Sequence, residues 1–376
     1  MLHPQTQAIH MGHFADASKA IMPPIILSTT FERGEDGLSF PSGYMYSRYD
    51  NPNRHALEEK LNALEGGVEC ITFASGLAAA MAIFQSLGTG NHLILPDHTY
   101  FGVRNILEKL YAKWGLSFTV VDMTNLKEVE QAITSKTKLI WTETPSNPQL
   151  KITDLQAIAN IAKAHKLLTI CDNTWGTPYF QQPFAMGIDI VHHSTTKYLG
   201  GHSDILGGAL IFKEQSVVSE FVRNFQKIGG AVPSPFECWL LNRSLATFYA
   251  RMPIHASNAM QLATYLSQHP KIEKVMYPGL PDNEYHTLAQ KQMRNGFGGM
   301  LSILVKGGQT AALQVASGMK IIRHATSLGG VESLIEHRKS VEGELSKSPE
   351  NLLRVSVGIE YIDDLIADFE QVLAKI

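Results

Sequence analysis

The chain has 376 residues, 44% hydrophobic and 18% charged, enough for two domains around a large buried core. A formal net charge of -3 offers no basic field for nucleic acid and no polybasic patch for an anionic membrane, so chemistry on a small molecule is expected. Cys70, Cys171 and Cys238 are too few for a disulfide framework, Met1-Leu2-His3-Pro4 does not begin like a signal peptide, and no apolar run approaches about eighteen residues; the cytoplasm is the expected compartment.

Residues 1–55 are rich in Pro, Gly, Ser and polar aromatics without sustained periodicity, which predicts an extended N-terminal arm that packs on something else. From Ala56 the spacing of Leu57, Leu61 and Leu64 is helical. Apolar runs then predict strands near 70–74, 92–96, 117–121, 138–143, 167–172, 188–193 and 207–212, with helices between them. This βα alternation predicts a mostly parallel central sheet in a large domain, residues 56–250. A helical stretch around 236–268, interrupted by Pro253, leads into a smaller α/β domain, residues 251–376. Its predicted strands lie near 299–305 and 352–357 and its helices near 309–318 and 362–375.

Three segments carry chemistry. Cys70–Met81 reads as a strand, a Ser75-Gly76 turn and an alanine-rich helix, whose free N–H groups and dipole suit a phosphate, although such a turn also serves as a plain cap. Leu167–Thr174 reads as a buried strand with Asp172 at its C-terminal edge, where ligands bind in open α/β sheets. Ile188–His202 reads as a strand opening into a glycine-rich turn at Gly200 and Gly201, with Lys197 between them and Ser194 and Thr196 beside it. A partly desolvated amine at such a place has a lowered pKa and can form a Schiff base. Paired with a strand-end lysine, Asp172 suits pyridoxal 5'-phosphate (PLP), whose ring nitrogen a carboxylate keeps protonated. His192, His193 and His202 surround the lysine, but no ligand-spaced cysteine or carboxylate completes a set, so no metal is expected. Gly296-Phe297-Gly298-Gly299 is followed by a strand where a dinucleotide fingerprint needs a helix. Glu332, Glu336 and His337 read as a solvated helix face.

Further motifs run in order along nearly the whole chain: Tyr46-Ser47-Arg48-Tyr49-Asp50-Asn51-Pro52, Tyr100, Glu143-Thr144-Pro145-Ser146-Asn147-Pro148, Asp172-Asn173-Thr174, Ser327-Leu328-Gly329-Gly330 and Leu353-Arg354-Val355-Ser356-Val357-Gly358. With them the sequence resembles the PLP-dependent enzymes of cysteine and methionine metabolism, the cystathionine γ-synthase, γ-lyase and β-lyase group. The resemblance implies the aspartate aminotransferase-like fold, PLP-dependent transferase fold type I. It implies Lys197 as the residue joined to the cofactor and later the proton shuttle, with Tyr100 stacked on the ring and Asp172 at the ring nitrogen. Asn147 would hydrogen-bond the cofactor's phenolic oxygen, and Ser75, Gly76, Leu77, Thr174, Ser194 and Thr196 would complete the cofactor site. Arg354 would clamp the substrate carboxylate, because a planar guanidinium matches it with two hydrogen bonds, with Ser327, Thr326 and Asn147 near the substrate. Tyr46 and Arg48 would reach the phosphate of a neighbouring subunit, which implies a homodimer with shared sites and commonly a homotetramer.

The sequence departs from family patterns at two places. Thr326 stands where members working by γ-chemistry often carry a glutamate, and Gly102 stands where the methionine-lyase pattern has a cysteine; Trp175 would narrow the pocket. The reading is therefore a carbon–sulfur lyase acting on a small sulfur-containing amino acid, cystathionine β-lyase first, with γ-lyase and γ-synthase as alternatives. A non-catalytic protein retaining the fold would have no need of Lys197, Asp172, Tyr100 and Arg354 together.

Overall fold

The computed structural model describes residues 2–343 and 348–376. Its larger sheet contains β1 (Glu69–Phe73), β2 (His92–Pro96), β3 (Ser117–Val121), β4 (Thr137–Glu143), β5 (Leu168–Asp172), β6 (Ile190–Ser194) and β7 (Gly208–Phe212) in the order β1-β7-β6-β5-β4-β2-β3. Strands β2 to β6 pair in parallel, and β7 runs antiparallel to both β1 and β6. The sheet is thus mostly parallel, as its near-continuous apolar strands demand: Ile71, Leu93, Ile140, Ile170, Val191 and Leu210 are fully buried.

Helices cover the sheet with faces readable from their spacing. Leu155–His165 buries Leu155, Ile158, Ala159 and Ala162, one stripe at helical period. It starts where Asp154 accepts the Ala157 N–H (3.0 Å) and ends at Lys166 in the left-handed region. Losing a cap of this kind costs about 1 kcal/mol.

A second sheet contains β8 (Ile272–Met276), β9 (Met300–Val305), β10 (Arg323–His324), β11 (Leu334–His337) and β12 (Leu352–Ser356), ordered β10-β11-β12-β9-β8. β12 is central and antiparallel to both neighbours, which puts Arg354 opposite Ser302 on one side and Glu336 on the other.

Several expectations change here. The arm contains a helix, Pro4–His10, which buries Gln7 and Ala8; at seven residues it is too short to show periodicity. The helix expected from Ala56 begins at Pro52, capped by Asn51. The stretch around 236–268 is two helices, Pro235–Leu245 and Phe248–Ser267, and the break at Ala246–Thr247 precedes Pro253. Pro253 stays inside the second helix near its start, where the missing N–H removes one bond, to Tyr249. Glu336 and His337 are not on a solvated helix. They lie on β11, 3% and 2% exposed: Glu336 meets the guanidiniums of Arg338 and Arg354, and the His337 ring is held between the Ser340 hydroxyl and the Glu350 carbonyl.

Candidate active site

The C-terminal ends of β4, β5 and β6 lie side by side, with Glu143 opposite Asp172 and Asp172 opposite His192. This is the edge at which open α/β sheets bind ligands. Above it is a cavity of about 240 Å³. It is lined by Ser75, Gly76, Leu77, Tyr100, Asn147, Asp172, Thr174, Ser194, Thr196, Lys197, Thr326, Ser327 and Arg354, all singled out in the sequence. Glu143, Trp175, His192 and Arg338 line it as well. Tyr46 and Arg48 are not among its lining residues. Arg48 instead donates to the Lys227 carbonyl and lies 4.9 Å from the Tyr49 ring centre.

Lys197 follows β6 in a tight turn closed by Gly200 N–H to Thr195 O (2.9 Å) and Gly201 N–H to Lys197 O (2.8 Å). Gly201 has φ +69°, and a Cβ there would meet Arg251 Nη1 at 2.1 Å, so the turn requires glycine. The lysine Nζ donates to Ser327 Oγ at 3.0 Å. Burial and the nearby Arg354 charge bring its pKa down to about 8, which leaves a useful fraction of free amine near neutrality.

Asp172 and Glu143 are buried neighbours with opposite fates. Burial pushes the Asp172 carboxyl up, but His192, with Nδ1 3.0 Å from Oδ2, outweighs it and holds the pKa below the ordinary value. Burial lowers His192 in turn, and the Asp172 charge more than restores it. Nε2 of His192 donates to Gly76 O (2.9 Å), which links the carboxylate to the first turn of the helix Gly76–Ser86. Glu143 is pushed well above its ordinary value by burial and by Asp172. It accepts the Tyr100 backbone N–H at 2.7 Å and so holds that tyrosine at the cavity wall. The two neighbouring carboxyls are thus driven apart, Asp172 towards the ionised form and Glu143 towards the protonated one.

The Ser75-Gly76 turn forms a cradle. Ser75 Oγ accepts the Ala78 N–H at 3.1 Å, while the first-turn N–H groups of Gly76 and Leu77 have no intrahelical acceptor. A Cβ on Gly76 would lie 3.0 Å from Ser194 Cβ, and one on Gly208 would lie 2.3 Å from Ser75 O. These glycines let β6, β7 and the helix start converge, leaving backbone donors beside the Ser194 and Thr196 hydroxyls. The donor set fits PLP: N–H and hydroxyl groups for a phosphate, an ionised buried carboxylate for a pyridinium, and an amine of lowered pKa for an aldehyde.

On the facing wall Arg354 is 4% exposed. It donates to Asn147 Oδ1 (3.1 Å) and the Ser327 carbonyl (3.0 Å), and Nη2 lies 2.7 Å from Glu336 Oε2. Ser327 is held at φ +100°, a conformation rare for L residues that persists where the surroundings fix it. Burial and the Arg338 charge bring Arg354 down to about 10, still protonated at neutral pH. Sequence reasoning assigned no role to Glu143, Arg338 or the His192–Asp172 pair. The period-two step from His192 to Ser194 was the available signal for His192; nothing local marks Arg338.

The family model for Cys/Met metabolism PLP-dependent enzymes matches residues 5–374. The chain is 43% identical to the cystathionine gamma-synthase of Mycobacterium tuberculosis H37Rv, over 98% of this chain and 96% of that protein. It is 42% identical to the cystathionine beta-lyase of Coxiella burnetii, over 99% and 98%. The solved structure of cystathionine gamma-lyase from Lactobacillus plantarum complexed with L-serine superposes with a TM-score of 0.95 at 40% identity, covering 100% of this chain and 99% of that one. Among the described residues no helix is long and apolar enough to cross a membrane. With the mostly parallel sheet and this cavity at its edge, the chain belongs to the PLP-dependent enzymes of cysteine and methionine metabolism, with fold type I architecture.

Proposed function

We propose that this enzyme cleaves cystathionine by β-elimination, giving homocysteine, pyruvate and ammonia. The observation that carries the choice is Thr326, a neutral hydroxyl on the cavity wall immediately before Ser327. In this reading Lys197 holds the cofactor, Asp172 faces the ring nitrogen with His192 behind it, and Tyr100 covers the ring. Ser75, Gly76, Leu77, Thr174, Ser194 and Thr196 hold the phosphate end, and Asn147 the phenolic oxygen. The chemistry supplied by bound PLP is electron withdrawal from the substrate Cα.

Arg354, with Asn147 and Ser327 around it, takes the substrate α-carboxylate and so presents the Cα–H to Lys197 Nζ, which receives the proton. The Cβ–S bond then breaks with its electron pair leaving on sulfur, a proton restores the homocysteine thiol, and water converts the three-carbon remainder to pyruvate and ammonia. β-Elimination needs this one proton transfer by Lys197. γ-Chemistry needs a second, from Cβ, and hence a firmer hold on the far arm of the substrate, whose ammonium finds no carboxylate at Thr326. Tyr46 and Arg48 complete the site of a neighbouring copy. What supports this is that neither lines the cavity of its own chain, and that the arm leaves Ile21, Leu27 and Leu38 exposed.

Keto-acid identification after incubation with cystathionine tests the reaction. Pyruvate with homocysteine is expected. Predominant 2-oxobutyrate with cysteine makes the enzyme a γ-lyase, and faster formation of cystathionine from cysteine and an acylated homoserine makes it a γ-synthase.

A further inference from the structure

Beside Arg354, sharing a carboxylate with it, lies a second guanidinium that the reaction scheme does not use. Arg338 is 1% exposed and lines the same cavity. Its Nη1 lies 2.6 Å from Glu336 Oε2, and its Nη2 lies 2.6 Å from Glu342 Oε1. The same Glu336 oxygen lies 2.7 Å from Arg354 Nη2. Glu336 Oε1 is buried without a hydrogen-bond partner among the described residues. One carboxylate oxygen therefore carries both guanidiniums while the other carries none.

That asymmetry has a consequence for Arg354. A carboxylate and a guanidinium left alone in a buried site close into a two-pronged pair, fork against fork. Such a pair would occupy the edge of Arg354 that a substrate carboxylate needs and would cancel its charge. Arg338 prevents this by drawing Glu336 onto Oε2, so Arg354 is held by one prong, with Nη1 on Asn147. Arg338, Arg354, Glu336 and Glu342 together balance to zero charge. Removing Arg338 would take one positive charge out of this cluster before any substrate arrived. We propose that Arg338 is a positioning residue for carboxylate recognition: it restrains Glu336 so that Arg354 remains available to the α-carboxylate of an amino-acid substrate.

The inference rests on the reading of Arg354 as the carboxylate clamp, and the test separates the two. The holoenzyme is titrated with L-alanine and with ethylamine, the same amine without its carboxylate, following the shift of the visible cofactor band. The ratio of the two dissociation constants measures carboxylate recognition alone. Arg338→Leu should weaken alanine by about tenfold and leave ethylamine unchanged. Adding Glu336→Gln to it should restore the alanine affinity, since the competing carboxylate is then gone. Glu336→Gln alone should raise the preference for alanine, which keeps the test decisive if Arg338→Leu does not fold. A merely structural Arg338 would weaken both ligands alike and show no rescue, and either result overturns the proposal. Arg354→Lys must lower the alanine preference in the same assay; if it does not, the clamp reading itself fails, whatever Arg338 does.

Discussion

Gly208 touches no substrate in this account, yet its replacement should damage cofactor binding. It is the first residue of β7, paired with Phe73 and Ser194. A Cβ at this position would lie 2.3 Å from Ser75 O, 2.6 Å from Ser75 C and 2.7 Å from Gly76 Cα, all backbone atoms. The first is more than about 1 Å inside an ordinary contact, and no side-chain rotation relieves it. In Gly208→Ala the Ser75-Gly76 turn must therefore shift, carrying its N–H groups off the phosphate. Overpacking of this kind costs about 1–3 kcal/mol. To the extent that the apo protein relaxes by moving the turn, the cost reappears when PLP binds, as a dissociation constant raised by about 5- to 150-fold. The remainder appears as a lowered melting temperature of the apo protein. Equilibrium dialysis read at the visible band, with thermal unfolding of the apo form, measures both. Unchanged cofactor affinity together with unchanged apo stability would refute the steric argument.

Two further outcomes follow from the same geometry. Because burial and Arg354 bring Lys197 to about 8, the rate at which apo protein captures added PLP should climb with pH up to about 8 and then level, as the protonated amine gives way to the reactive free one; a climb continuing to about 10, the ordinary lysine range, would contradict the desolvated setting. If Arg48 serves a neighbouring copy, co-refolding the inactive Arg48→Ala and Lys197→Ala variants should recover part of the activity, since mixed dimers regain one intact site; mixed dimers confirmed by mass spectrometry but lacking activity would reject the shared site.

Strands such as β2 and β7 were legible because burial on both faces writes a continuous apolar run, and Asp172 and Lys197 were legible because one ends such a strand and the other stands just beyond one. β8 was not, because Ile272-Glu273-Lys274-Val275-Met276 places two exposed charged residues in the middle of a short strand. β11 was misread for a different reason: Glu336 looks solvated until Arg338 and Arg354, the latter eighteen residues on in sequence, are folded against it, and His337 until the Glu350 carbonyl meets its ring. The pairing of His192 with Asp172 was hidden for the same cause. It depends on the register between β5 and β6, which no local pattern encodes. The cradle was partly visible in Ser75-Gly76, but the need for Gly208 arises from an antiparallel strand more than a hundred residues away.

The central claim is that Lys197 carries the cofactor at the edge of the parallel sheet. Borohydride reduction of the PLP-loaded enzyme fixes the cofactor to the amine that holds it, and peptide mass mapping then locates it. The account predicts one modified peptide, spanning Lys197, and none in Lys197→Ala treated in the same way. Label on another lysine of the loaded wild-type enzyme, or equal labelling of the Lys197→Ala variant, would contradict it.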